Sequence, residues 1–282
     1  MKKDQHYVPQ FYLKSWDESG KLTAFDPKLK KFKRIAPQNI CFEKNLYETP
    51  AKDCCNELGK YISCNDIENT FCKYENDYAN LLKNLLNICT EKNKKALILH
   101  SNEKKMFFSF VVNMLIRNPV SMRNMELDTL SDEITKSEFY SKLDYVLKKM
   151  RIGATESIFK AAQKKAYLTF EYENPLIEEL ERLDYCFLLA QKGEFITSDH
   201  PVCYGNDLYI KTENSTCLYM ALSPQIAVLF GNYEDSKSRR NRMILIPENL
   251  VDELNKSIIE KQHYYKWIIA HSQSAIEKAI KE

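Results

Sequence analysis

The apolar residues change their period at Ile67 and again after Pro175. After a polar opening, Lys21 to Phe25 (KLTAF) and Lys31 to Ile35 (KFKRI) flank Asp26-Pro27, and a turn starter between two such runs predicts a β-hairpin. From Ile67 the period lengthens. Ile67, Phe71, Tyr74, Tyr78, Leu81, Leu82, Leu85 and Cys89 recur at helical spacing, behind Ser63 as N-cap and Asp66 as an approximate capping box. Ser101 opens a second helix whose buried face holds Met106, Phe107, Phe110, Val111, Met114 and Leu115, and Pro119 ends it. The charged stretch beyond carries Leu127, Leu130, Ile134, Phe139, Leu143, Val146, Leu147, Ile158, Phe159 and Ala162. It reads as two or three further helices, punctuated by Gly153 and Pro175.

After Pro175 the period shortens again. Tyr185 to Ala190, Phe195 to Thr197, Cys217 to Leu222, Ile226 to Phe230 and Met243 to Ile246 are short apolar runs between turn residues, with Lys192-Gly193 as a hairpin loop. A helix over Glu248 to Lys261, a last strand over Trp267 to Ala270 and a short helix over Ser274 to Lys281 follow. The fold class is therefore α+β: a mainly antiparallel sheet made by the N-terminal hairpin and the C-terminal strands, with a central block of packed helices. An isolated hairpin is marginal, so the first one must join the C-terminal strands. That argues for a single domain over 1–282, comprising an N-terminal segment and hairpin (1–62), a helical block (63–174), and strands with a C-terminal helix (175–282).

Composition removes several function classes. Lys and Arg number 41 against 39 Asp and Glu, so the net charge of +2 gives no support for a large nucleic-acid surface. Local basic patches remain, at Lys28 to Arg34 (KLKKFKR) and Ser238 to Arg242 (SRRNR); such runs are most often solvated faces. With 6 Gly, no G-x-G-x-x-G and no G-x-x-x-x-G-K-[ST], dinucleotide and P-loop chemistry fall away. The 9 Cys are odd in number and form no C-x-x-C pair, which favours reduced thiols. Cys54, Cys55, Cys64 and Cys72 with His100 match no usual zinc spacing, and Cys72 and Cys89 occupy core positions. No signal peptide and no apolar run of membrane-spanning length is present, so the expected location is cytoplasmic, away from the membrane.

The polar residues near element ends supply the candidate chemistry. His6, beside Tyr7, Gln10 and Tyr12, reads either as a general acid/base or as a structural histidine fixing the N-terminal segment. Glu68 could pair with it, hold a metal, or complement the helix dipole in a first turn; Glu75, two turns on, reads as a solvated flank. Arg117 ends an apolar helix, where a guanidinium suits the dipole or clamps an anion, and Asn118 before Pro119 is a helix stop. Asp199 follows a strand, as an orienting carboxylate, a metal ligand or the cap of an Asx-turn. Ser198 lacks the G-x-S-x-G elbow of a nucleophile.

His6 to Leu13, HYVPQFYL, resembles the opening of the bacterial family catalogued as Domain of Unknown Function 4238. The hairpin with Asp26, Asn45-Leu46-Tyr47, Glu68 to Glu75, Arg117-Asn118-Pro119, Thr197 to Pro201, Ser223-Pro224 and Leu254-Asn255 follow the family in order. The family commonly has Asn where this chain has His200. The resemblance carries no activity, but it implies one fold and a site location. Catalytic roles are then expected at His6, Glu68 and Asp199, and substrate binding at Gln10, Tyr12, Asn45, Arg117, Ser198 and Asn255. The leading expectation is a hydrolase of a phosphodiester or related phosphoryl bond, in RNA or a nucleotide, working without an obligatory metal. Mg2+ or Mn2+ held by Glu68 and Asp199 is the variant. The rival is a non-catalytic binding or interaction module in which His6, Arg117 and Asp199 form a buried network locking the two chain ends together.

Overall fold

The Asp26 carboxylate closes its own turn, accepting the backbone N–H groups of Lys28 and Leu29, both at 3.0 Å, while Lys30 takes the left-handed conformation at φ +50°. This Asx-type turn folds strand β2 (Leu22–Asp26) onto β3 (Lys31–Ile35), with Phe25 opposite Phe32 and their ring centroids 4.7 Å apart. In the computed structural model of the chain, residues 4–50, 61–62, 64–91, 96–124, 129–150, 153–169, 174–204, 218–231 and 242–281 are described.

The hairpin does join the C-terminal strands. β11 (Ile268–Ala270) pairs antiparallel with β2, and β6 (Thr197–Ser198) pairs antiparallel with β11, giving the order β3-β2-β11-β6. The remaining C-terminal strands form a sheet of their own, ordered β10-β5-β9-β8-β7. In it β5 (Asp184–Ala190), β9 (Ile226–Gly231), β8 (Leu218–Ser223) and β7 (Val202–Tyr204) each run antiparallel to the next, while β10 (Arg242–Ile246) runs parallel to β5. Strands β8 and β9 are buried along almost their whole length, as uninterrupted apolar runs require.

The chain divides into two compact units that interleave in sequence: Met1–Gln5, Phe42–Tyr74 and Pro119–Phe170 form one, His6–Cys41, Glu75–Asn118 and Glu171–Glu282 the other. The second unit holds both larger sheets. Helix α1 (Gln10–Leu13) follows Pro9 there, and the later part of α2 (Asp66–Thr90) belongs to it. Helix α3 (Ser101–Ile116) sets Phe107 and Phe108 against Phe187, Tyr185 and Phe230, with ring centroids 5.3–6.3 Å apart. Stacking at that range adds to the area buried and makes this the aromatic core.

In the first unit, β1 (Asp4–His6) pairs with β4 (Phe42–Lys44), and Asp66 and Glu68 occupy the first turn of α2. Ser63, its expected N-cap, lies outside the described residues. Helices α4 (Pro119–Asn124), α5 (Asp132–Thr135), α6 (Glu138–Lys149) and α7 (Thr155–Leu168) follow. The periodicity resolves the long pair and blurs the short α4 and α5, which span little more than one turn. Phe159 of α7 packs between Phe139 and Tyr140 of α6, at 5.8 and 5.0 Å, and Thr155 donates to Asp144 at 2.9 Å. Helix α8 (Pro175–Arg182), α9 (Glu248–Glu260) and α10 (Gln273–Lys281) complete the chain within the second unit.

Candidate functional site

The N-terminal motif threads the second unit and delivers one polar tip after another to the β6 segment. Tyr7 N–H donates to Cys41 O at 3.0 Å, and its hydroxyl donates to Asp199 Oδ2 at 3.2 Å. The Tyr12 hydroxyl lies 2.7 Å from both Thr197 Oγ1 and Ala221 O, and Trp16 Nε1 donates to Phe195 O at 3.3 Å. Each aromatic body sits in the apolar interior while its polar end finds a partner. Gln10, one helical turn from the buried Leu13, stays half-buried at the start of α1.

Asp199 is fully buried, and its carboxylate is the hub. Oδ1 accepts from Tyr265 N–H at 2.8 Å and Lys266 N–H at 3.1 Å; Oδ2 accepts from Lys266 N–H at 2.9 Å as well as from Tyr7. Burial pushes its carboxyl up to about 6, against the opposing pull of the Tyr265, Trp267 and Lys266 backbone and the Tyr7 hydroxyl. Asp199 thus caps the turn ahead of β11. The cap of its own corner falls to Ser198, whose Oγ accepts from His200 N–H at 3.0 Å and donates to His263 O at 2.5 Å.

Arg117 follows α3 and is 1% exposed. Nη1 donates to Glu75 Oε1 at 3.0 Å and Asn113 Oδ1 at 3.2 Å, and Nη2 donates to the His6 carbonyl at 2.5 Å. Asn118 donates to Leu115 O at 2.8 Å and finishes the helix. The His6 imidazole lies with Nε2 3.2 Å from Gln38 O; a carbonyl only accepts, so the proton sits on Nε2. His6, Arg117 and Asp199 therefore gather around the Tyr7 peptide, through the carbonyl of His6 and the phenol of Tyr7.

Asn255 of α9 performs a similar service one strand away. Its Oδ1 accepts from Ile196 N–H at 2.9 Å and its Nδ2 donates to Glu194 O at 2.8 Å, tying the approach to β6 onto the helix. Replacing it by alanine strands a buried N–H and a part-buried carbonyl. Asn255→Ala is expected to cost about 2–3 kcal/mol, read as a lower urea midpoint with an unchanged m-value. An unchanged midpoint would remove this role.

Glu68 and Asn45 belong to the first unit. Glu68 is 8% exposed in the first turn of α2, and Asn45 takes φ +55°, with its Oδ1 buried and accepting no hydrogen bond. Three members of the second unit's network carried no catalytic signal in sequence. Tyr7 lay inside the motif as a neighbour of His6. Asn113 stands one helical turn before Arg117, a spacing that points to contact. Glu75, read as a solvated flank, is the carboxylate on Arg117.

Among the described residues no group of three or more His, Cys, Asp or Glu is placed to hold a metal ion. Cys54 and Cys55 lie outside them. No helix among the described residues is long and apolar enough to cross a membrane. No curated protein and no solved structure matches the chain. The family model described as "Protein of unknown function (DUF4238)" matches residues 4–274, and the chain belongs to that family.

Proposed function

We propose that this chain works by binding, without catalysis, and that its partner is RNA engaged through the β2–β3 hairpin. A single contrast carries the reading. The polar atoms of Asp199, Arg117, Ser198 and Asn255 are buried and engaged with the protein itself, whereas the lysines of the hairpin are exposed and make no ion pair among the described residues. A buried carboxylate holding four hydrogen bonds has no lone pair to orient an imidazole, and Arg117 has no face to offer a phosphate.

Lys28, Lys30, Lys31 and Lys33 all lie at the surface, and none makes a salt bridge among the described residues. Lys136, Lys142, Lys148, Lys160, Lys165 and Lys278 each meet a carboxylate. The one acid within the hairpin, Asp26, is 3% exposed and spent on its own turn. Arg34 is held by Glu18 at 2.9 Å. Lys33 and Lys266 stand over the Trp267 ring, their ammonium groups 5.3 and 5.0 Å from its centroid, which adds Lys266 to the same basic face. Crowded like charges repel, and a polyanion supplies the missing counter-charge while releasing its own counterions.

The test is fluorescence anisotropy with a labelled single-stranded RNA of about 16 nucleotides. Binding is expected with a slope of about −2 to −3 in log K against log salt, the value for three or four neutralised phosphates. Lys28→Glu/Lys31→Glu/Lys33→Glu should weaken it at least tenfold, and the RNA should emerge uncut with or without Mg2+ or Mn2+. Absence of binding at low salt would end the RNA assignment. Cleavage that His6→Asn abolishes would restore the hydrolase reading.

A further inference from the structure

We infer that the first unit carries a separate binding site for a small amine with an apolar body, built around Glu48. The site is independent of the hairpin and stands or falls without the RNA reading. Glu48 is 5% exposed, and its carboxylate is held from one side. Oε1 accepts from Gln5 Nε2 at 2.6 Å and from Asn65 N–H at 2.9 Å, while Gln5 is itself fixed by Tyr47 N–H donating to its Oε1 at 2.8 Å. Oε2 is buried and accepts no hydrogen bond. A buried carboxylate oxygen left without a donor is costly, and a counter-charge close by would offset that cost.

Glu48 lines a cleft of about 210 Å³. Its far wall is one face of α7, where Ile158, Ala161, Ala162 and Lys165 recur at i, i+3, i+4 and i+7. The two alanines create the hollow, because larger side chains at those positions would fill it. Lys165 is neutralised by Asp66 at 2.6 Å, so the charge left over in the lining belongs to Glu48. Ile67 of α2 and Ile158 make the cleft apolar around that charge.

Size and charge together define the ligand. A dry cavity of roughly 150 Å³ holds benzene, so this cleft suits a body slightly larger than one ring. The Glu48 carboxylate, whose charge no lysine or arginine in the lining neutralises, selects a body that bears positive charge. An aryl-alkyl ammonium meets both demands; a carboxylate of the same size meets one and violates the other.

The probe is 2-phenylethylamine, titrated into the full chain by ligand-observed NMR and calorimetry, beside 2-phenylethanol and phenylacetate. The amine is expected to bind at least tenfold more tightly than the alcohol, with no detectable binding of the acid. Glu48→Gln keeps an Oε1 acceptor for Gln5 and Asn65, so the fold is retained, and amine affinity should fall at least tenfold. Ala161→Phe, which fills the cleft without touching Glu48, should abolish binding. Failure of the amine to bind, equal binding of amine and alcohol, or full amine affinity in either variant would overturn the site. Should Glu48→Gln fail to fold, the Ala161→Phe comparison decides alone.

Discussion

Arg117→Ala is expected to lower the melting temperature by roughly 6–12 °C, equivalent to about 3 kcal/mol at about 2–4 °C per kcal/mol for a chain of this size. The guanidinium is buried, and its fork reaches three acceptors on three separate stretches of chain: Glu75, Asn113 and the His6 carbonyl. Water can rehydrate Glu75, whose side chain is 29% exposed, so its loss contributes little. The Asn113 amide oxygen at 4% exposure has no such recourse, and the segment led by His6 loses its tie to the end of α3. Arg117→Lys should recover only part of the loss, because one ammonium cannot present two parallel N–H arms to acceptors placed for a fork. An anion clamp behaves otherwise. Removing a guanidinium poised for a ligand typically leaves stability unchanged or raises it, so a melting temperature within about 2 °C of wild type would return Arg117 to a ligand-binding role.

How far these arrangements were legible in sequence depends on how local their causes are. The β2–β3 turn was readable because Asp26 satisfies backbone groups two and three residues away, a signal contained in the Asp-Pro step itself. The α+β class, with helices massed between strand-forming ends, followed from the change of period at Ile67 and again after Pro175. The division of the C-terminal strands between two sheets was not readable. Thr197–Ser198 and Val202–Tyr204 are separated by three residues yet enter different sheets, and the corner is set by Ser198 bonding His200 N–H and His263 O. Nothing in the run TSDHP says where the His263 carbonyl will be.

The polar residues were harder still, because a sequence shows what a side chain is and not which way it points. Asp199 offers the same carboxylate to an imidazole, a metal or a backbone turn. The choice was made by the N–H groups of Tyr265 and Lys266, more than sixty residues on, which carry no side-chain signal at all. Arg117 was half legible: Asn113 at helical spacing could be read, whereas the His6 carbonyl and Glu75 depend on how distant segments pack. The unneutralised hairpin was visible as KLKKFKR from the start. Its difference from an ordinary solvated run lies in density: Lys28, Lys30, Lys31 and Lys33 stand together on one turn and its strand, with no ion pair among the described residues.

His200→Asn is expected to make the protein more acid-stable by about 3 kcal/mol at pH 4 relative to wild type, with little difference at pH 7. His200 is 9% exposed, its Nε2 is buried without a hydrogen bond, and its ring lies 6.3 Å from that of His263. Burial, then the neighbouring His263, lowers its pKa to about 4. The unfolded value is about 6.5. Above that pH both states are neutral and the residue contributes nothing. As pH falls below it, the unfolded chain takes up the proton first, so stability is lost progressively until about 4, where the folded state protonates too. Asp199 works in the opposite sense. Its folded value of about 6 lies above the unfolded value of about 3.9, so the folded state gains the proton first on acidification. The two neighbours thus offset one another in the wild-type chain between about pH 6 and 4, and its urea stability should vary little from this pair. In His200→Asn the histidine contribution vanishes and that of Asp199 remains. The difference in unfolding free energy between variant and wild type should widen by up to about 1.4 kcal/mol per pH unit across that window. A difference that stays constant from pH 7 to 4 would mean that His200 titrates alike in both states, and that its burial is relieved before the proton arrives.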